Sequence, residues 1–343
     1  MRRLLVSCVV LTALVLTGSA MASYTPHLVV VQAGTQTKIH LTIPKADDAT
    51  AALVIYSPTT ATATLTQAIG TQIGTVEAQV NAKAISPDAV LPLTGTVVVG
   101  DPASPAIAAA ATACTGTTTH AATWLLVLTA AGQTLNVPAF VDPTSGAEAA
   151  LGGGKIMVCL PSPDIPEAAG GAKFGSKLLD VNFTVNGIFA ASSAPISTWL
   201  STFVPYVAGT ATANPAGHVS AVGVMAIPTF TFTARASKGH RVTFSGRVTA
   251  GGVPAAGQPI AIYAKARNVA RTKTGATGAF TAKATVKKGT YTFRAKLTAA
   301  DTDVTAQACA LVPAAAVPSI GACVSATAAG ATLFSKPVTI RVR

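Results

Sequence analysis

The last third of the chain alternates apolar and polar residues with a period of two. Such a period, with one apolar face in every run, is typical of β-strands that cover a shared core. Short spacing and glycine-rich turns between the runs predict an antiparallel β-sandwich over residues 227–343. The apolar members of the six runs are Phe230, Phe232 and Ala234; Val242, Phe244 and Val248; Ile260, Ile262 and Ala264; Phe280, Ala282, Ala284 and Val286; Tyr291, Phe293, Ala295 and Leu297; and Val338, Ile340 and Val342.

Residues 23–226 show the same alternation less regularly. Ile39, Leu41 and Ile43 alternate with polar residues, and short apolar runs recur to about residue 158. Frequent short strands with loop-rich joins predict a first β-sandwich domain here, of no recognisable family. We expect residues 106–113 to form a short helical turn or a loop, residues 161–172 an exposed loop, and residues 214–228 the join between domains. The predicted fold class is therefore all-β, with two antiparallel β-sandwich domains.

Four short motifs in the C-terminal third follow one another in a familiar order. They are Gly246-Arg247-Val248, the run from Gly257 to Tyr263, the run from Thr274 to Phe280, and the run from Gly289 to Ala295. Their order resembles that of bacterial Ig-like and carboxypeptidase-regulatory-like domains, over residues 229–300 and the last strand. The resemblance implies an accessory module of an exported or cell-surface protein, without catalytic residues. Residues 301–336 depart from the pattern, and we interpret them as an insertion closed by a disulfide.

The first 22 residues have the features of a secretory signal peptide. Arg2 and Arg3 precede an apolar run over residues 4–16, and Ala20-Met21-Ala22 is a small-residue cleavage pattern. The apolar run is shorter than a membrane-spanning helix needs, and nothing comparable follows it. We therefore expect cleavage near Ala22 and a mature chain, without a transmembrane segment, that is secreted or associated with the cell envelope.

Four cysteines follow the predicted signal peptide: Cys114, Cys159, Cys309 and Cys323. An even number in an exported chain favours disulfides, although four cysteines allow three pairings. Their division between the two predicted domains favours Cys114–Cys159 and Cys309–Cys323. A zinc site is the competing interpretation, but the cysteines lack the close pairing of zinc motifs and only His120 lies near one of them.

Charge divides the chain in two. Residues after Pro228 contain sixteen Lys and Arg against two acids, whereas residues 23–225 contain six Lys against ten acids. The first interpretation is a cationic exterior without a partner. The second is a surface that binds a polyanion outside the cell, such as an anionic cell-wall polymer, an acidic polysaccharide or lipid head groups. The alternation places on the solvent side Arg241, Arg247, Lys265, Arg267, Lys283, Lys287, Arg294, Lys296, Arg341 and Arg343.

Nucleic acid is a weaker candidate partner, because Tyr263 is the single aromatic residue that the alternation places on this outer face. The sequence also contains no recognisable catalytic motif. Its five histidines are scattered singly, and Gly152-Gly153-Gly154-Lys155 lacks the hydroxyl residue of a phosphate-binding loop. We predict no cofactor and no metal.

The sequence therefore predicts a non-enzymatic, exported binding or adhesion module. One alternative is a structural spacer or self-associating surface protein, in which the oppositely charged domains dock on each other or on neighbouring chains. A hydrolase with its site in the first domain is the other alternative.

Overall fold

The computed structural model describes residues 24–130, 132–190, 194–312 and 320–343, so the predicted signal peptide lies outside the described residues. β-Strands dominate the described residues, as the sequence predicted. The helices that join them include α1 (Pro105–Thr115), α2 (Thr305–Ala308) and several 3-10 turns. The strands are β1 (His27–Ala33), β2 (Gln36–Thr42), β3 (Thr50–Tyr56), β4 (Gln72–Ala82), β5 (Val90–Val99), β6 (Ala122–Ala130), β7 (Gln133–Pro143), β8 (Gly154–Cys159), β9 (Ser176–Asn186), β10 (Ile196–Pro205), β11 (Val219–Ala226), β12 (Pro228–Ser237), β13 (Arg241–Ala250), β14 (Val253–Pro254), β15 (Pro259–Ala264), β16 (Arg267–Lys273), β17 (Ala279–Thr285), β18 (Gly289–Thr298), β19 (Thr302–Asp303), β20 (Ala322–Ala328), β21 (Thr332–Phe334) and β22 (Val338–Val342).

The first sheet has thirteen strands, in the order β1-β2-β9-β4-β5-β6-β7-β8-β3-β10-β11-β20-β19. It curls back on itself, so that β1 packs over β11. The backbone of Gly223 lies so close to β1 that an added Cβ would be 3.1 Å from Leu28 Cγ. Every strand from β1 to β11 contributes buried apolar residues to one core. Two layers formed by one curled sheet therefore enclose that core, in the manner of a sandwich.

Aromatic side chains occupy part of this core. The ring of Phe189 lies 5.0 Å from that of Trp199 and 6.4 Å from that of Trp124, in both cases edge to face. Trp124 also lies 5.9 Å from Phe183. Both tryptophans are fully buried. Strands β6, β9 and β10 are therefore held together by aromatic contacts as well as through the backbone ladder.

The second sandwich consists of two sheets that face each other. Sheet two contains β12, β13, β14 and β17, and sheet three contains β15, β16, β18, β21 and β22. Both contribute to a single core around Phe244, Ile262 and Phe293. All six alternating runs form strands, and the residues predicted to be apolar face this core. Its likeness to Ig-like domains stays a prediction.

Residues 301–336 do not behave as the insertion in the second sandwich that we expected. Strand β20 pairs in parallel with β11, which returns the chain to the first sheet, and β19 pairs with β20 at that sheet's edge. Ile320 is fully buried there, beside Leu200 and Val222. Strand β20 was not predicted from the sequence because its side chains are mostly Ala, Cys, Ser and Thr, which gives no clear alternation of apolar and polar residues. Its partner strand also lies about 100 residues earlier.

Other expectations need smaller corrections. Residues 214–228 were predicted to join two domains, but they include the whole of strand β11, which pairs with β10. A domain boundary at residue 226 would assign β19 and β20 to the second domain, whereas they belong to the first sheet. Residues 106–113 lie within α1, and residues 161–172 form a loop with one 3-10 turn. No helix in the described ranges is long and apolar enough to cross a membrane.

The disulfide pairing predicted from the sequence is confirmed. Cys114 at the end of α1 is bonded to Cys159 at the end of β8, with 5.7 Å between their α-carbons. Cys309 is bonded to Cys323, with 5.5 Å between α-carbons. All four sulfurs are therefore unavailable as thiolate ligands for zinc.

Removing the Cys114–Cys159 disulfide should destabilise the protein, because it closes a loop across a sequence separation of 45 residues. We expect the Cys114→Ala/Cys159→Ala variant to lose about 2–4 kcal/mol of unfolding free energy. Denaturant unfolding of both proteins measures this. Four alkylatable thiols in the unreduced mature wild type, counted by mass spectrometry, would contradict the assignment.

Gly246 has a packing role in the second sandwich. It faces the core between Phe244 and Val248, and an added Cβ would lie 2.5 Å from the Phe280 ring and 2.2 Å from the Thr231 carbonyl oxygen. Glycine at this position therefore makes room for a core aromatic ring and for the neighbouring strand.

We expect Gly246→Ala to lower the free energy of unfolding by about 1–3 kcal/mol, because backbone and ring must both move. Gly275→Ala is the matched control, since the nearest atom to its added Cβ is 3.7 Å away. Denaturant unfolding of both variants measures the difference. Equal stabilities would contradict the close approach of Gly246 to Thr231 and Phe280.

Candidate anion-binding surface

The structure places the ten predicted basic residues on the outside of the second sandwich. Nine are exposed and Lys296 is half-buried. They do not form one patch, because they are divided between two sheets that face opposite ways. Arg241, Arg247, Lys283 and Lys287 belong to sheet two or its end, and the other six to sheet three. The two outer faces are therefore separate candidate surfaces.

Sheet three carries the more organised of these surfaces. Ala261 on β15 pairs with Arg271 on β16 and with Lys296 on β18, so the three form one row across three strands. Because neighbouring strands lie about 4.8 Å apart, the two cationic residues start about 10 Å from each other. The small side chain of Ala261 leaves the middle of the row low.

The depression above Ala261 is a shallow groove of about 460 Å³. Lys273, in the adjacent row opposite Pro259, contributes a third cation to its wall. No carboxylate lines it among the described residues. We call this surface the cationic groove, and its lining residues are Pro259, Ile260, Ala261, Arg271, Thr272, Lys273, Lys296 and Thr298.

Aromatic residues flank the cations of this face. Phe334 on β21 pairs with Lys296 and is 58% exposed. The Lys296 ammonium lies 5.9 Å from the centre of the Phe334 ring, which restrains the amine by a cation–π contact. Tyr263 pairs with Arg294 in the next row. A ligand in the groove would therefore meet positive charge beside an exposed apolar ring.

Sequence reasoning found Lys296 and Arg294 but missed Arg271, Lys273 and Phe334. Strand β16 escaped recognition because the pairing jumps from Ala270 to Asn268, which leaves Val269 as an extra residue that breaks the alternation. The spacing of Arg271 and Lys273, two residues apart, was the available signal for a shared face.

The second sandwich contains no carboxylate side chain. Its sixteen Lys and Arg residues are separated by strand pairing from Asp301 and Asp303, which lie at the edge of the first sheet. All five ion pairs of the described residues lie in the first sheet and its loops. The cations of the second sandwich therefore have no internal counter-charge.

The first sheet contains one arrangement that resembles a catalytic triad. The Thr115 hydroxyl lies 3.0 Å from His120 Nε2, and His120 Nδ1 lies 2.7 Å from an Asp142 carboxylate oxygen. However, that hydroxyl also lies 2.9 Å from the carbonyl oxygens of Ala111 and Thr117, and the histidine side chain is only 2% exposed. The enclosed ring and the occupied hydroxyl tie α1 to β7 and do not present a nucleophile.

The other histidines and acids do not assemble into a site. His40 pairs with Asp180 at 2.7 Å on the outside of the first sheet. Within the described ranges, no three His, Cys, Asp or Glu side chains come together as metal binding requires.

Comparison with known proteins does not assign a family. No protein-family description and no curated protein matches the chain. A solved structure described as the T6 backbone pilin of serotype M6 Streptococcus pyogenes is 9% identical, with a TM-score of 0.25, over 79% of this chain and 48% of that one. The D00-D0 domain of Intimin is 12% identical, with a TM-score of 0.18, over 57% of this chain and 77% of that one. The chain thus spans about half of the pilin chain.

Three tyrosines in the first sheet and its flanking segments are buried enough to resist ionisation. Burial raises the pKa of Tyr24, Tyr56 and Tyr206 above the ordinary value, and the Glu148 carboxylate, 3.2 Å from the Tyr56 hydroxyl, raises that of Tyr56 further. The folded protein therefore keeps protons that the unfolded chain releases above a pH of about 10.

Stability should consequently fall as the pH rises above the pKa of a free tyrosine, because the unfolded chain then binds fewer protons than the folded one. We expect Tyr24→Phe to make this fall less steep. Denaturant unfolding at a series of alkaline pH values measures the slope. The burial of these phenols would be contradicted if the slope of unfolding free energy against pH were the same in the variant and if all tyrosines of the folded wild type already showed tyrosinate absorbance.

Proposed function

We propose that this protein is an exported, non-enzymatic binding module whose second sandwich holds it on an acidic polysaccharide or anionic wall polymer outside the cell. The observation that carries the proposal is the sixteen-to-none ratio of cations to carboxylates on that sandwich. The predicted signal peptide and the two disulfides favour a place outside the cytoplasm.

Electrostatics favours a polymeric partner over a single small anion. Like charges on one small body repel one another, and bound counter-charge relieves this repulsion. At physiological ionic strength, the Debye length of about 8 Å is close to the spacing between cations two strands apart. A polymer that carries charges at comparable intervals can meet several of these cations together, and the attachment should weaken as salt is added.

The cationic groove is the proposed centre of this attachment. Arg271 offers a planar guanidinium that can hold a carboxylate or sulfate through two hydrogen bonds, while Lys273 and Lys296 add point charges around the same floor. The remaining basic residues, including the predicted Arg294 and Arg341, would contribute long-range attraction. Phe334 supplies an apolar contact at one end.

The alternative is self-association without a polymer. Several acids of the first sheet and its loops, such as Glu77, Asp101 and Glu167, are exposed and have no ion-pair partner within the described chain. These acids could meet the second sandwich of a neighbouring copy. Oligomers that dissociate in salt, in the absence of any polymer, would favour this alternative.

Two triple variants test the groove with equal loss of charge. Arg271→Gln/Lys273→Gln/Lys296→Gln removes its cations. The control, Arg235→Gln/Arg241→Gln/Lys283→Gln, acts on sheet two, where Arg235 and Lys283 flank Thr243 in a matching row. We expect the groove variant to bind alginate at least about tenfold more weakly than the control, because three charged contacts each contribute up to about 1 kcal/mol.

The measurement is binding of the purified mature chain to alginate at low and high salt, with anionic lipid vesicles and single-stranded DNA as comparison ligands. If both variants bound alginate equally weakly, attachment would depend on the overall positive charge of the sandwich and not on the groove. Binding that is insensitive to salt, or absent, would overturn the proposed attachment. Stronger retention on vesicles or DNA than on alginate would reassign the partner.

A further inference from the structure

The interior of the first sheet contains a cavity of about 200 Å³. It lies between facing parts of the curled sheet, and its walls come from several strands between β2 and β9. Of the 27 lining residues, 22 are aliphatic, proline or aromatic, and the other five are Thr50, Asn136, Lys173, Ser176 and Lys177. Those that define its walls include Leu53, Ile55, Leu126, Leu128, Ile156 and Phe183.

A cavity of this kind favours apolar occupants. A protein cavity of about 150 Å³ lined by Leu, Ile and Phe stays dry and binds benzene or xenon, because water would lose hydrogen bonds inside it. The cavity in this sheet is larger and has similar walls. An aliphatic chain that enters it gains the dispersion contacts that its walls otherwise lack.

The cavity is open to solvent at one end. Leu135 and Val137 at the start of β7, and Leu178 at the start of β9, line it and are only partly buried. Pro161 and Pro163 in the loop after β8, and Ser176 at the first position of β9, complete the rim. A ligand can therefore place one end inside and the other at the surface.

The rim carries two lysines, one of which also has carboxylates close by. Lys173 and Lys177 line the opening, and no Asp or Glu is among the described lining residues. The buried Lys177 amine donates to the carbonyl oxygens of Lys45, at 2.9 Å, and Asp47. Lys173 is a half-exposed residue whose amine donates to the Gln133 amide oxygen at 3.0 Å and lies 5.9 Å from the centre of the Phe174 ring, and neither partner carries a charge. Lys173 is therefore available to pair with an anion at the opening.

We propose that the first sheet binds a small amphiphile, with its aliphatic chain in the cavity and an anionic head group at Lys173. This ligand differs in class from the polyanion of the second sandwich, and its site lies in the other body of the protein. The proposal does not depend on the proposed attachment, so either can fail alone.

The test uses isothermal titration of the mature full-length chain with octanoate, and with 1-octanol and octyltrimethylammonium as analogues that lack the negative charge. We expect octanoate to bind more tightly than both. Lys173→Gln should weaken octanoate about threefold to fivefold, the size of a part-exposed ion pair, and leave octanol unchanged. Lys38→Gln, on the exposed side of β2, is the control and should bind as the wild type does.

Two further variants fill the cavity. Ala139→Leu adds bulk to a buried wall, and Val137→Phe adds it at the partly exposed rim, where folding is less affected. Either should weaken octanoate and octanol at least about tenfold. Cooperative thermal unfolding identifies which variants have folded. No binding to the wild type, or undiminished binding to a folded, filled variant, would overturn the proposal. An unchanged octanoate affinity in Lys173→Gln would overturn the assigned head-group contact.

Discussion

The second sandwich depends on keeping its strand-borne cations in water while the alternate side chains form its core. A buried charge without a partner costs several kcal/mol, which is more than one apolar side chain contributes by its own burial. The sandwich has no carboxylate that could accompany a buried Lys or Arg. A slip of one residue in any strand would turn its cations inward and its apolar residues outward, so only one register is stable.

This constraint connects the fold with the proposed function. The same alternation that forms a core around Phe244 and Phe293 also assembles two cationic outer faces. The repulsion among those cations is a cost that the folded chain carries without internal relief. Under the proposed function, bound anions would lower that cost, and strand pairing fixes the spacing of Arg271 and Lys296.

The first sheet solves a different problem. The curled sheet encloses one large core. It is extended by β20, which pairs with β11 although most strands of the second sandwich lie between the two in sequence. Ile320 and the Cys309–Cys323 disulfide hold this returning segment in place. The two bodies are thus connected by strand pairing as well as by the link between β11 and β12. The curled core leaves an internal cavity with Lys173 and Lys177 at its rim.

The sequence by itself determined the local features of this protein: the strands of the second sandwich, the outward position of its cations, the all-β class and the disulfide pairing. These follow from a period of two, from turn residues and from the position of four cysteines, all of which are readable over short distances. Only the tertiary structure decided that Arg271 and Lys296 flank Ala261, that β20 pairs within the first sheet, and that Lys173 lines the opening of a cavity. Each of these depends on register between strands distant in sequence, or on an extra residue such as Val269. The energy of such pairings comes from contacts that no single segment contains.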